Sequence, residues 1–142
     1  MTTTIAYIFG IFVTATYLYM AFISRTMNKN RFKLRIILGL ISLLFGFIIG
    51  HFQLFNKPTG FFIICGLAPM IYLVWYEITR RILGPWIGDY PYAPHWDKIG
   101  DKVKGVGYQK NRFVTSNDRI FGFLMFLIPI LTFIILIVIF DK

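Results

Sequence analysis

The sequence predicts an all-α integral membrane protein: a bundle of four transmembrane helices with both termini outside and a cytoplasmic loop with room for a short interfacial helix. Three observations predict it. The chain of 142 residues is 57% hydrophobic and only 15% charged, against about 25% charged in a typical soluble domain. Its apolar residues collect in four stretches, each near the roughly 20 residues needed to cross a bilayer. Its basic residues fall almost entirely between stretches one and two and between three and four.

The same composition excludes other classes. Mean hydropathy is +0.68, too high for a disordered chain, and one cysteine cannot make a disulfide scaffold. Too few polar residues remain to cover a soluble enzyme. Alternating strand patterns are missing, so helices are left as the structure that satisfies its backbone in lipid.

The elements read in order. The first span is 4–23, opened by Thr2, Thr3 and Thr4 and closed by Arg25. With no basic residue before Arg25 and no small-x-small cleavage site, it reads as a retained helix rather than a signal peptide. The second span is 36–55. Asn56-Lys57-Pro58-Thr59-Gly60 then makes a tight turn, so spans two and three form an antiparallel hairpin. The third span is 61–78, and Gly84-Pro85 ends it or its extension. The fourth is 120–140, preceded by Thr115-Ser116-Asn117-Asp118, in which Thr115 and Asp118 have capping-box spacing. Pro69 and Pro129 bend spans three and four. The chain is one membrane domain, 1–142, with loops 24–35 and 79–119.

Orientation follows from charge. Arg25, Lys29, Arg31, Lys33 and Arg35 lie in the first basic loop; Arg80, Arg81, Lys98, Lys102, Lys104, Lys110, Arg112 and Arg119 lie in the second; only Lys57 and Lys142 lie on the other side. The positive-inside rule makes the two basic loops cytoplasmic. This suits a bacterial cytoplasmic (inner) membrane, and equally a mitochondrial inner membrane with the matrix as the inside. The net charge of +9 then serves topology and anionic phospholipids, at roughly 1 kcal/mol per residue near the surface. Arg25, Lys29, Arg31, Lys33, Arg35, Arg80 and Arg81 are the expected headgroup contacts. No nucleic-acid motif accompanies the charge.

The loop 79–119 is the one sizeable segment in water. Its first part holds three prolines and the aromatic residues Trp86, Tyr90, Tyr92 and Trp96. Trp86, Tyr90, Tyr92, His95 and Trp96 are therefore the expected contacts to a partner or the membrane surface. Trp96, Ile99, Val103 and Val106 have helical spacing and predict a short amphipathic helix, against the low helix propensity of Gly100, Gly105 and Gly107.

Chemistry-bearing groups are sparse. His51 is an ionisable group in a span, but about 22 Å from Ile36 it lies near the outer helix end. His95 is on the other side, so one chain cannot build a bis-histidine haem site. Glu77 has Arg80 at i+3 and Arg81 at i+4, the geometry of an ion pair that fixes helix depth. Asp97 and Asp101 share the spacing of an Asp pair in CDP-alcohol phosphotransferases, whose remaining motif is missing. No catalytic, cofactor or metal constellation emerges. His51, Gln53 and Glu77 are the remaining functional candidates.

The clearest pattern is steric. Gly39, Ser42, Gly46 and Gly50 follow one helix face of span two, with Gln53 in line; Ala6, Gly10 and Thr14 do the same in span one. Small residues let helix backbones approach closely. Either the two stripes pack on each other, or one meets another subunit. The reading is a small non-enzymatic subunit or assembly factor of a larger membrane complex, its loop from Trp86 to Arg112 capping the complex. The alternative is an oligomeric transporter or channel, with Thr14, Thr16, Ser42, His51 and Gln53 as lumen candidates. A third reading is an interfacial lipid-modifying enzyme using His95, Asp97 or Asp101.

Overall fold

The computed structural model describes residues 2–23, 29–52, 59–87, 91–92, 97–103 and 111–140. It is an all-α bundle of four helices long and apolar enough to cross a membrane. Helix α1 is Thr2–Leu18, followed by a π-helical turn Tyr19–Ile23. Helix α2 is Lys29–His51, α3 is Thr59–Ile87 and α4 is Ser116–Phe140.

Two boundaries differ most from the sequence reading. Helix α2 begins at Lys29 rather than 36, so Lys29, Arg31, Lys33 and Arg35 lie on a helix and not in a loop. Lysine and arginine are good helix formers, and the charges do not stop the backbone hydrogen bonds. Helix α3 runs through Gly84-Pro85 to Ile87. A proline removes one hydrogen bond, but Leu83 and Ile87 pack against the core on either side of it. The helix therefore continues one more turn.

Helix α3 is the hub. Half of its apolar window is buried, against 11% in α4, so α4 presents most of its surface outward. At the basic end Met20, Tyr72, Leu73, Tyr76, Phe121 and Met125 form the main core. At the opposite end Phe9, Ile49 and Phe62 tie α1, α2 and α3 together, with the Phe9 and Phe45 rings edge-on at 5.4 Å.

The α2–α3 contact is made by backbone. A Cβ on Gly46 would strike the Phe62 carbonyl oxygen and lie 3.2 Å from the Gly66 Cα. A Cβ on Gly66 would lie 2.6 Å from the Ser42 carbonyl oxygen. The small stripe of α2 thus meets α3, and the sequence expectation that it packs on the stripe of α1 is corrected. Gly66 supplies the flat partner surface.

Helices α3 and α4 are joined by a polar contact. The Trp75 Nε1–H donates to Thr132 Oγ1 at 2.9 Å, and that hydroxyl donates to the Ile128 carbonyl at 2.9 Å. Interhelical hydrogen bonds in membranes average about 0.6 kcal/mol, up to about 1.7. Trp75→Phe, which keeps an aromatic ring but removes the donor, is expected to lose about 1 kcal/mol in an unfolding titration in mixed micelles.

Candidate functional site

Helix α1 holds the open face. Ala6, Gly10, Thr14 and Ala15, together with Tyr7, Ile11 and Leu18, line a shallow, wide-open groove. A Cβ on Gly10 would meet nothing within 4 Å. Tyr7 is 70% and Ile11 68% exposed. The face comes from one helix alone, because α1 is held to the bundle through its other side, by Phe9, Thr16 and Met20. A second opening adjoins it. Tyr17, Leu18 and Ala21 face Gly122, Met125, Phe126 and Ile130 of α4 across an apolar slot of about 280 Å³, with Tyr72 at its base. Among the described residues, helix α1 therefore has no neighbour on its small-residue face and stands apart from α4 along its basic half.

The remaining small residues of α2 are used inside the chain. Gly39 faces Met70, whose Sδ would lie 2.5 Å from a Cβ there. Ser42 is fully buried, and Gly46 and Gly50 are buried with it.

Arg35 overturns its expected role. It is 1% exposed and sits inside the bundle rather than at the headgroups. It is four residues before Gly39, so it lies on the inward face of α2, and packing that face against α3 carries it in. Arg35, Tyr76 and Tyr17 are the ionisable neighbours of Tyr72, and the Tyr17 and Tyr72 rings meet edge-on at 5.6 Å. This polar centre was legible only as a spacing. Lys33 faces outward, and Lys29 and Arg31 occupy the first turns of α2. Arg25, Gln53, Tyr90, His95 and Trp96 lie outside the described residues.

Glu77 holds both arginines. Arg80 donates through Nε (3.0 Å) and Nη2 (2.8 Å), and Arg81 through Nε (3.0 Å). His51, the last residue of α2, is exposed and stacks on Phe47 with ring centroids 6.1 Å apart. The lumen candidates do not converge. Thr14 and His51 are exposed, and Thr16 and Ser42 are buried at separate contacts.

The loop forms a cap on α4. Asp118 is fully buried and accepts from Arg112 Nη2 at 2.6 Å, from the Tyr92 N–H at 3.1 Å, and from the Thr115 N–H and hydroxyl at 2.9 and 2.8 Å. The Asp118 N–H donates back to Thr115 Oγ1 at 3.3 Å. Thr115 and Asp118 thus form the reciprocal capping box their spacing indicated. Arg112 also reaches the Ile87 carbonyl, and Asn117 the Trp86 carbonyl. Two of the last carbonyls of α3 are so bonded, one by the loop and one by the start of α4.

The expected amphipathic helix is not formed over 97–103. Lys102 and Phe113 make an antiparallel bridge, and Val103 and Val114 pack with Tyr92 into a small core. Gly100 takes φ +90°, a left-handed value that suits glycine and ends a helix. Asp101 accepts from the Lys98 N–H at 2.7 Å, closing a turn instead. Tyr92 is also corrected. It is 0% exposed and donates its hydroxyl to Asp97, so it serves the cap's interior and not an outside partner. Trp86, 71% exposed, stays on the surface.

The four helices define the chain as one compatible with an integral membrane protein. No family model, curated protein or solved structure matches it.

Proposed function

We propose that this protein is a small non-enzymatic subunit or assembly factor of a larger membrane complex, and that the small-residue face of α1 seats a helix of another subunit. One observation carries the reading: the Ala6, Gly10 and Thr14 face is open, and none of the described residues covers it. In lipid, helix association relies on close van der Waals packing, and small residues are what permit it. The face used within the chain, on α2, has the same design. The exposed basic residues at the basic end of the helices and in the loop face the cytoplasmic leaflet and its anionic phospholipids, in a bacterial cytoplasmic or mitochondrial inner membrane.

Gly10→Leu tests this. The side chain enters open space, so stability in detergent is expected to stay within about 0.5 kcal/mol. Wild-type protein purified in mild detergent is expected to carry a stoichiometric integral membrane partner. The variant should lose at least about nine-tenths of it, a weakening of roughly a hundredfold. Retention of the partner at the wild-type level contradicts the reading.

A further inference from the structure

Helix α3 carries an outward stripe that does not stop where its charges begin. Val74, Ile78, Ile82 and Trp86 are spaced by four and are 53%, 39%, 63% and 71% exposed. The opposite side is packed: Tyr76 and Thr79 are buried, and Leu83 and Ile87 lie against the core. A helix end standing in water does not ordinarily expose isoleucine and tryptophan in one line with a lipid-facing span. From Gly60 to Trp86 the helix rises about 39 Å, close to the roughly 40–45 Å of a bilayer with its headgroup layers. The stripe therefore stays within the membrane to its last residue. Trp86 falls at the headgroup level, where indole is favoured.

The charges lie just below that level. Arg80 commits two nitrogens to Glu77. Arg81 gives it Nε, and its side chain is 76% exposed. The three groups together carry one net positive charge beside the stripe. Arg81 follows Ile78 by three residues and so lies on its side of the helix, about 7.5 Å below Trp86 along the axis, within reach of the phosphate layer for a long side chain that snorkels. A guanidinium matches two phosphate oxygens at once.

We propose that this part of α3 binds one anionic phospholipid of the cytoplasmic leaflet, with Arg81 on its phosphate and Val74 and Ile78, on the same side of the helix, along an acyl chain. The assignment rests on the orientation proposed above. The phosphate is common to all phospholipids, and the net positive charge selects those with anionic headgroups.

Native mass spectrometry of the purified protein tests it, with phosphatidylglycerol and phosphatidylcholine of identical chains as probes. Wild-type protein is expected to bind phosphatidylglycerol more tightly than phosphatidylcholine. Arg81→Gln is expected to weaken phosphatidylglycerol about tenfold and leave phosphatidylcholine unchanged, while Arg119→Gln, on the cap, changes neither. Equal affinity of the wild type for the two lipids, or unchanged phosphatidylglycerol binding by Arg81→Gln, overturns the proposal. Because Arg81 is exposed, the variant is expected to keep its helical signal; should it not, the wild-type preference decides alone. Partner capture through α1 is scored separately, so either proposal can fail while the other stands.

Discussion

Gly46→Val is expected to cost about 3 kcal/mol or more, the upper range for inserting bulk into a packed core. At Gly46 the obstacles are the Phe62 carbonyl and the Gly66 Cα. Both are backbone, so neither can rotate away, and the two helices must separate. Separation also strips contacts from Ser42 and Leu43, which face Gly66. The penalty outweighs the roughly 1 kcal/mol that helix propensity returns when glycine is replaced. Two glycines give the contrast. At Gly39 the obstacle is the flexible end of Met70, so Gly39→Ala should stay within about 1 kcal/mol. At Gly10 there is no obstacle, and Gly10→Ala should be neutral or stabilising by up to about 1 kcal/mol. Unfolding titrations in mixed micelles rank the three. Equal effects at Gly46 and Gly10 contradict the packing described.

Asp118→Ala is expected to release the cap, at a cost of about 3 kcal/mol for breaking a buried pair from one side. The carboxylate is fully buried and gathers Arg112, the Tyr92 amide and Thr115. Its removal strands the Arg112 guanidinium, whose side chain is 18% exposed, and opens the α4 N-terminus. The loss is local, because the α2–α3 contact lies elsewhere. Hydrogen exchange should accelerate at the Gly100, Val103 and Val114 amides, which bond across the ribbon, and leave the middle of α3 unchanged. Glu77→Gln provides the comparison. Its ion pairs are partly exposed, and such pairs contribute about 1 kcal/mol or less. Uniform exchange across the chain in Asp118→Ala would show that the cap and bundle unfold together.

Local chemistry was the most legible. The capping box at Thr115 and Asp118 is written within four residues, and the Glu77 pair with Arg80 and Arg81 within five. The four apolar stretches were legible because lipid leaves few structures open. Contacts between distant segments were less so. The α2 stripe was visible as a spacing, but its partner Gly66 has no such spacing around it on α3. Arg35 was read by its charge and assigned to the surface. Its position four residues before Gly39 puts it on the same face, and the face decided its burial. The loop misled because Ile99 and Val103 fit helical spacing, whereas the φ of Gly100 and the pairing with residues 112–114 favour a turn and a bridge. Pro85 marked an expected helix end that the packing of Leu83 and Ile87 carries past.

The reading of function turns on what lies against α1, and a photo-reactive phenylalanine analogue at Ile11 asks this most directly. Ile11 forms a wall of the groove and is 68% exposed; Ile134, on the outward side of α4 and 49% exposed, is the comparison site. Illumination in intact membranes is expected to join position 11 to one different integral membrane protein, and position 134 to lipid. Crosslinks from position 11 to lipid alone, or to a second copy of this chain, would contradict a role as a subunit of a larger complex.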